Sequence, residues 1–146
     1  PGYDAVRELG KKCGLCGRLE MVKWAPIEEI CQALHDADIF VACNDYCGVS
    51  RAAMEALLTG VPVVHNRCSR RPVREFEEMP GITLVENTPE GYEAGMRRLI
   101  DDAAHRETCG RDAREYAWQT FGPDVAESNV VALYATLVAG GAVSDE

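Results

Sequence analysis

Gly48, Ser50, Arg51 and Glu55 have the types and spacing of an anion site built on the start of a helix. Ser50 is a natural N-cap, which leaves the first-turn N–H groups of Arg51, Ala52 and Ala53 facing outward. First turns ordinarily carry Asp or Glu to complement the helix dipole, but this one carries an arginine. An amino end without its own acid can take an external anion such as a diphosphate. Gly48, just upstream, lets a ligand approach the backbone closely. Glu55 is the one carboxylate in the apolar run Ala52-Ala53-Met54-Glu55-Ala56-Leu57-Leu58 and calls for a partner. A ribose diol would supply two hydroxyl donors. Arg51 and Glu55 are also an i, i+4 pair, so a surface ion pair worth about 0.3–0.5 kcal/mol is the alternative. The residues alone leave both readings open.

Other side chains carry weaker signals. Cys13-Gly14-Leu15-Cys16 has the spacing of half a zinc site or of a dithiol redox motif. A second such pair is lacking, so two ordinary reduced thiols are expected, and no metal site. Cys31 and Cys43 lie on apolar faces and read as core residues. His35 and His105 fall on surface helix positions, whereas His65 follows a buried strand at its ligand end and is the histidine to test. Arg67, Arg70, Arg71 and Arg74 form a basic cluster. A solvated face paired with Glu75, Glu77 and Glu78 is favoured over a phosphate site.

The elements that must position these residues alternate. A short helix is predicted over 3–12, then a period-two strand over 18–24 that ends at Ala25-Pro26. Helix 27–36 follows, with Ile27, Ile30, Cys31 and Leu34 on one buried face. Ile39-Phe40-Val41-Ala42-Cys43 suits a strand covered on both sides. A loop leads to a helix over about 51–59, stopped by Gly60, and Val61-Pro62-Val63-Val64 opens another buried strand. The stretch from Arg67 to Arg74 reads as loop leading into a short helix. Ile82-Thr83-Leu84-Val85 makes a fourth strand, and three helical patterns close the chain. Tyr92, Met96, Leu99 and Ile100 mark the first. Cys109, Ala113, Tyr116 and Ala117 mark the second, and Ala126, Val130, Leu133, Tyr134 and Leu137 share a face of the third. Residues 139–146 read as a frayed tail. The alternation predicts an α/β fold, a Rossmann-like parallel sheet with helices on both faces, whose ligands bind at the carboxyl ends of the strands.

Composition bounds the function. The chain has 146 residues, 47% of them hydrophobic, which is ordinary for one soluble domain. No apolar run approaches the roughly 20 residues of a membrane span, and Pro1-Gly2-Tyr3-Asp4 lacks the basic-then-apolar pattern expected of a signal peptide. A net charge of −9 argues against a nucleic-acid surface. Seven cysteines scattered through patterned segments suggest a reducing, cytoplasmic setting.

The stretch Met54-Glu55-Ala56-Leu57-Leu58-Thr59-Gly60-Val61-Pro62-Val63-Val64 resembles the C-terminal domain of GT-B-fold retaining glycosyltransferases with a Glu, seven residues and a second Glu (the glycosyl transferases group 1 family). Ala37-Asp38-Ile39-Phe40-Val41 is similar to the strand before the family's loop, and the pattern after residue 80, through Thr120-Phe121 and Tyr134, fits too. The resemblance implies that residues 1–138 are the nucleotide-sugar-binding part of a larger enzyme, lacking the domain's first strand or strands. It implies an acceptor-binding N-terminal domain outside this chain, of roughly 180–200 residues, with peripheral membrane contact conceivable through it. Glu55 would accept hydrogen bonds from the ribose of a UDP- or GDP-type sugar donor. Val49, Ser50 and Arg51 would face the diphosphate, Gly48 the donor sugar, and Trp24, Ala25 and Pro26 the nucleobase. No cofactor or metal is implied, and no catalytic residue is carried over. The motif's first Glu falls on Cys47 and its Phe on Val49. A thiol is a weak hydrogen-bonding group, so the contact to the transferred sugar would be weakened or made differently. A sugar-nucleotide 2-epimerase and a non-catalytic nucleotide- or partner-binding module are the alternatives.

Overall fold

The computed structural model describes residues 2–15, 17–44, 48–68 and 77–139. Its backbone divides into two compact units, Pro1–Ala33 and Leu34–Glu146.

In the first unit, helix α1 (Tyr3–Lys12) starts with Asp4 in its first turn and ends on Lys11 and Lys12, charges that complement the helix dipole at both ends. The segment after it is tied back by the Tyr3 hydroxyl, which donates to the Met21 carbonyl at 2.9 Å, and by Lys23 over the Tyr3 ring at 4.7 Å. The strand predicted over 18–24 is not formed. Period-two alternation marks a segment fit for a sheet, but a strand exists only where a neighbouring strand takes its backbone hydrogen bonds, and among the described residues none pairs with it. Helix α2 (Ile27–Asp36) begins in this unit with Glu28 and Glu29 in its first turn. Its expected buried face is largely exposed, since Ile27, Ile30 and Cys31 are open to solvent and only Leu34 is buried.

The second unit is built on a parallel sheet of β1 (Phe40–Ala42), β2 (Val63–Asn66) and β3 (Ile82–Val85), in that order. Phe40 pairs with Val63 and Val63 with Ile82, so all three strands end at the same sheet edge. β2 is buried along its whole length, its apolar half Val63-Val64 followed by the buried polar pair His65-Asn66. β1 is one of the two edge strands among the described residues, and Val41 is 46% exposed, which corrects the expectation of cover on both sides.

Helices cover both faces. Val63 faces a core of Ala53, Ala56 and Leu57 from α3 (Arg51–Thr59), with Ala113 and Ala117 from α5 (Ala103–Phe121). Val64, the next residue, faces the opposite way, toward Val85 and Leu99 of α4 (Pro89–Asp101). One residue of strand separates the two cores because side chains alternate across a sheet. Thr88 caps α4 through the Gly91 N–H, and Asp102 caps α5 through the His105 N–H.

The carboxyl end of α3 is closed by Gly60 at φ 85°, with Gly60 N–H donating to Leu57 and Val61 N–H to Ala56. That left-handed closure suits glycine. A Cβ at Gly110 of α5 would collide with the Gly60 carbonyl, so the two backbones meet where neither carries a side chain. Trp118 of α5 donates its indole N–H to the Leu58 carbonyl at 3.1 Å.

Helix α6 (Pro123–Val138) has no buried residue, so the face of Val130, Leu133, Tyr134 and Leu137 lies open instead of in a core. Nothing among the described residues covers it.

Candidate functional site

The carboxyl ends of the three strands bring a capped helix and a polar cluster to one edge. After β1 the chain passes through Gly48 at φ 151°, a conformation that disfavours any side chain, into the N-cap of α3. Ser50 accepts the Ala53 N–H at 3.2 Å, and the first turn of α3 holds no acid. Val49 packs its side chain against the core, and Gly48 and Ser50 are half-buried. The helix therefore starts where its sequence predicts, but the cap takes the Ala53 N–H, which leaves those of Arg51 and Ala52 as the first-turn donors an anion could meet.

Arg51, Ala52, Glu55 and Thr59 form the exposed face of α3, opposite buried Ala53, Ala56 and Leu57. Because Glu55 is exposed, its charge needs no partner to be tolerated. It makes no ion pair with Arg51 among those formed, so the i, i+4 pair is absent. Cys47 lies outside the described residues. Trp24, Ala25 and Pro26 lie in the first unit, with the Trp24 side chain 80% exposed.

A cluster at the same strand ends was not legible in the sequence. Asn66, 4% exposed, closes on Asn44 from both sides: its Oδ1 accepts the Asn44 N–H at 3.0 Å and its Nδ2 donates to the Asn44 carbonyl at 2.8 Å. Tyr92 of α4 donates its hydroxyl to the Ala42 carbonyl at 2.9 Å, with Asn66 Oδ1 3.3 Å away. Burial pushes the Tyr92 phenol well above the ordinary tyrosine range, and the Cys43 thiol beside it adds to the rise while a backbone contact at Asn66 opposes it. Cys43 also reaches Asn87 after β3, Sγ to Oδ1 at 3.6 Å, so the ends of all three strands are linked.

His65 belongs to this cluster and not to a ligand surface. It is 1% exposed, with Nδ1 2.8 Å from the Asn66 carbonyl and Nε2 3.1 Å from Asn44 Nδ2. A carbonyl only accepts, so Nδ1 carries the proton and Nε2 accepts from the Asn44 amide. The available signal for the cluster was a polar pair, His65-Asn66, placed directly after a buried run.

The remaining candidates separate cleanly. Arg67 pairs with Glu77 at 3.2 Å and lies 3.9 Å from Glu86, in keeping with the solvated reading of the basic stretch. Arg70, Arg71 and Arg74 lie outside the described residues, as does Cys16 of the C-x-x-C pair. No group of three or more metal-binding side chains is present among the described residues. Cys13, Cys31, Cys43 and Cys109 are free thiols, but Cys31 and Cys43 are exposed and not core. Cys68 departs from the expectation of reduced thiols throughout, because it is disulfide-bonded.

Burial pushes the Cys109 thiol up, with Arg98 opposing and Asp112 adding to the effect. Iodoacetamide at pH 8 is therefore expected to label Cys109 several-fold more slowly than exposed Cys13 and Cys31. The gap should narrow as pH rises and Cys109 forms its thiolate. Equal rates at pH 8, read by peptide mass spectrometry, would contradict the placement of Cys109.

Residues 2–102 match the sequence profile of the family described as glycosyl transferases group 1. The chain belongs to that family. Among group 1 relatives, the D-inositol 3-phosphate glycosyltransferase of Corynebacterium glutamicum is 26% identical over 143 residues, covering 98% of this chain and 34% of that protein. The protein of the same name from Corynebacterium efficiens is 30% identical over 114 residues, covering 78% of this chain and 27% of the relative. The chain thus spans about a third of the length of these relatives. Among solved structures, sucrose-phosphate synthase from Thermosynechococcus elongatus superposes with a TM-score of 0.77 at 22% identity, over 93% of this chain and 34% of that one. That likeness supports the fold expected from the sequence, the parallel sheet of a GT-B half. No helix among the described residues is long and apolar enough to cross a membrane.

Proposed function

We propose that this chain is the donor-binding part of a glycosyltransferase that moves a sugar from a nucleotide-diphosphate sugar to a saccharide, lipid or small-molecule acceptor. The observation that carries the reading is the capped, acid-free amino end of α3 at the carboxyl edge of a parallel sheet, in a group 1 family chain. A diphosphate there would meet outward N–H groups at the positive end of a helix dipole. Gly48, Val49, Ser50 and Arg51 would line the approach, and Glu55, one turn along the exposed face, would accept from a ribose.

The donor is of UDP or GDP type, with no cofactor or metal required. Positioning and diphosphate stabilisation would carry the rate. The acceptor site would come from a further domain, and the whole enzyme would work in the cytoplasm or at its membrane face.

Titration of the chain with UDP and with GDP, followed by backbone NMR, tests this. One of the two nucleotides should shift the amides of Gly48, Ser50, Arg51 and Ala52 more than those of α4 or α6. Saturating nucleotide that leaves these four amides unmoved would remove the donor-site reading.

A further inference from the structure

The structure assigns Asn66 as a positioning residue, one whose carboxamide fixes the path by which the chain leaves β1 for the donor loop. The functional consequence rests on the nucleotide reading of Gly48 to Arg51; the geometry does not.

The β1–β2 ladder ends at the pair Ala42 and His65. Two residues further on, Asn44 has a backbone N–H and carbonyl that no strand takes up. Asn66 supplies both partners, with Oδ1 3.0 Å from the Asn44 nitrogen and Nδ2 2.8 Å from its oxygen. A carboxamide has the donor and acceptor arrangement of a peptide group, so the side chain extends the sheet past its last backbone pair. The same Nδ2 lies 3.3 Å from the Arg67 carbonyl, which holds the amide against its own strand.

The surroundings prevent the clamp from rotating. His65 joins the Asn44 side chain to the Asn66 carbonyl, and the Tyr92 hydroxyl anchors the Ala42 carbonyl one strand away. No buried side-chain nitrogen or oxygen among the described residues is left unpaired, so the cluster is satisfied as built. A buried polar network of this kind specifies one geometry, because every alternative leaves a group without a partner. What it specifies here is the position of Asn44, four residues before Gly48, and so the entry to the segment on which the donor's diphosphate would rest.

The wild-type chain gives the first test. Hydrogen exchange followed by NMR should show the Asn44 amide protected far beyond an ordinary loop amide. Exchange at the rate of an unstructured loop would overturn the assignment before any variant is made. Asn66→Ala removes both bonds, and Asn66→Leu removes both while refilling the space. Each is expected to release the Asn44 amide and to weaken UDP or GDP binding about tenfold, the loss expected for one to two hydrogen bonds. Asn66→Leu should recover much of the melting temperature lost in Asn66→Ala without recovering affinity. If Asn66→Leu binds nucleotide as tightly as wild type, Asn66 only fills space and the assignment fails. If wild type binds neither nucleotide, the donor-site reading fails instead, and protection of Asn44 still decides whether the clamp exists.

Discussion

Glu55→Gln is expected to weaken binding of the preferred nucleotide by about 1–3 kcal/mol, roughly five- to 150-fold, the range for a lost hydrogen bond to a charged group. The substitution keeps the shape and removes the charge. Its effect on folding should be small, because Glu55 is exposed and holds no ion pair with Arg51. That combination is what makes the test informative. An affinity loss at constant melting temperature assigns Glu55 to the ribose. Unchanged affinity, with Gly48 and Ser50 still responding to nucleotide, would make Glu55 a solvated bystander on the open face of α3. Calorimetric titration alongside thermal melts reads both quantities on the same samples.

Leu57→Ala acts at the other side of the same helix. Leu57 is fully buried and is among the largest such side chains, in the core that α3 and α5 share with the sheet. Removing three side-chain carbons there, a branch point and its two methyls, should cost about 2–5 kcal/mol, the lost transfer energy plus the cavity left behind. Much of a small domain's total stability is of that size. The urea midpoint should fall with little change in slope, and Leu57→Met should cost under about 1.5 kcal/mol because it conserves volume. A loss below about 1 kcal/mol for Leu57→Ala would mean that this core is far looser than its burial implies.

What was legible in the sequence was local. Ser50 and Gly60 bracket α3, and each acts on backbone groups within four residues of itself, so the bounds of that helix could be read directly. The run from Val61 to Val64 announced a fully buried strand for the same reason, since burial on two faces leaves no room for polar alternation. Segment 18–24 failed because pairing is not local: its alternation is real, but no described neighbour completes it. Ile27, Ile30 and the face of α6 failed similarly, because a periodic pattern records which face can be buried and is silent about what covers it. The clamp lay further out of reach. Its long-range bonds join residues separated by 21 to 50 positions, and Tyr92 reads in sequence as a plain core marker, whereas its hydroxyl rests on the Ala42 carbonyl. Asparagine is an ordinary loop residue in sequence; only the parallel register makes Asn44 and Asn66 neighbours.

The meeting of Gly60 and Gly110 has a mechanical side. Helix α3 has nine residues and so spans about 13 Å, a stiff rod with the Ser50 cap at one end and the glycine contact at the other. The Trp118 indole and the two facing glycines hold its far end against α5. A tilt at that contact would displace the capped end, so α5 would set the aim of the proposed donor site from a helix length away. Selection on the fit of a nucleotide would then fall on Gly110, Ala113 and Ala117, residues that would never touch it.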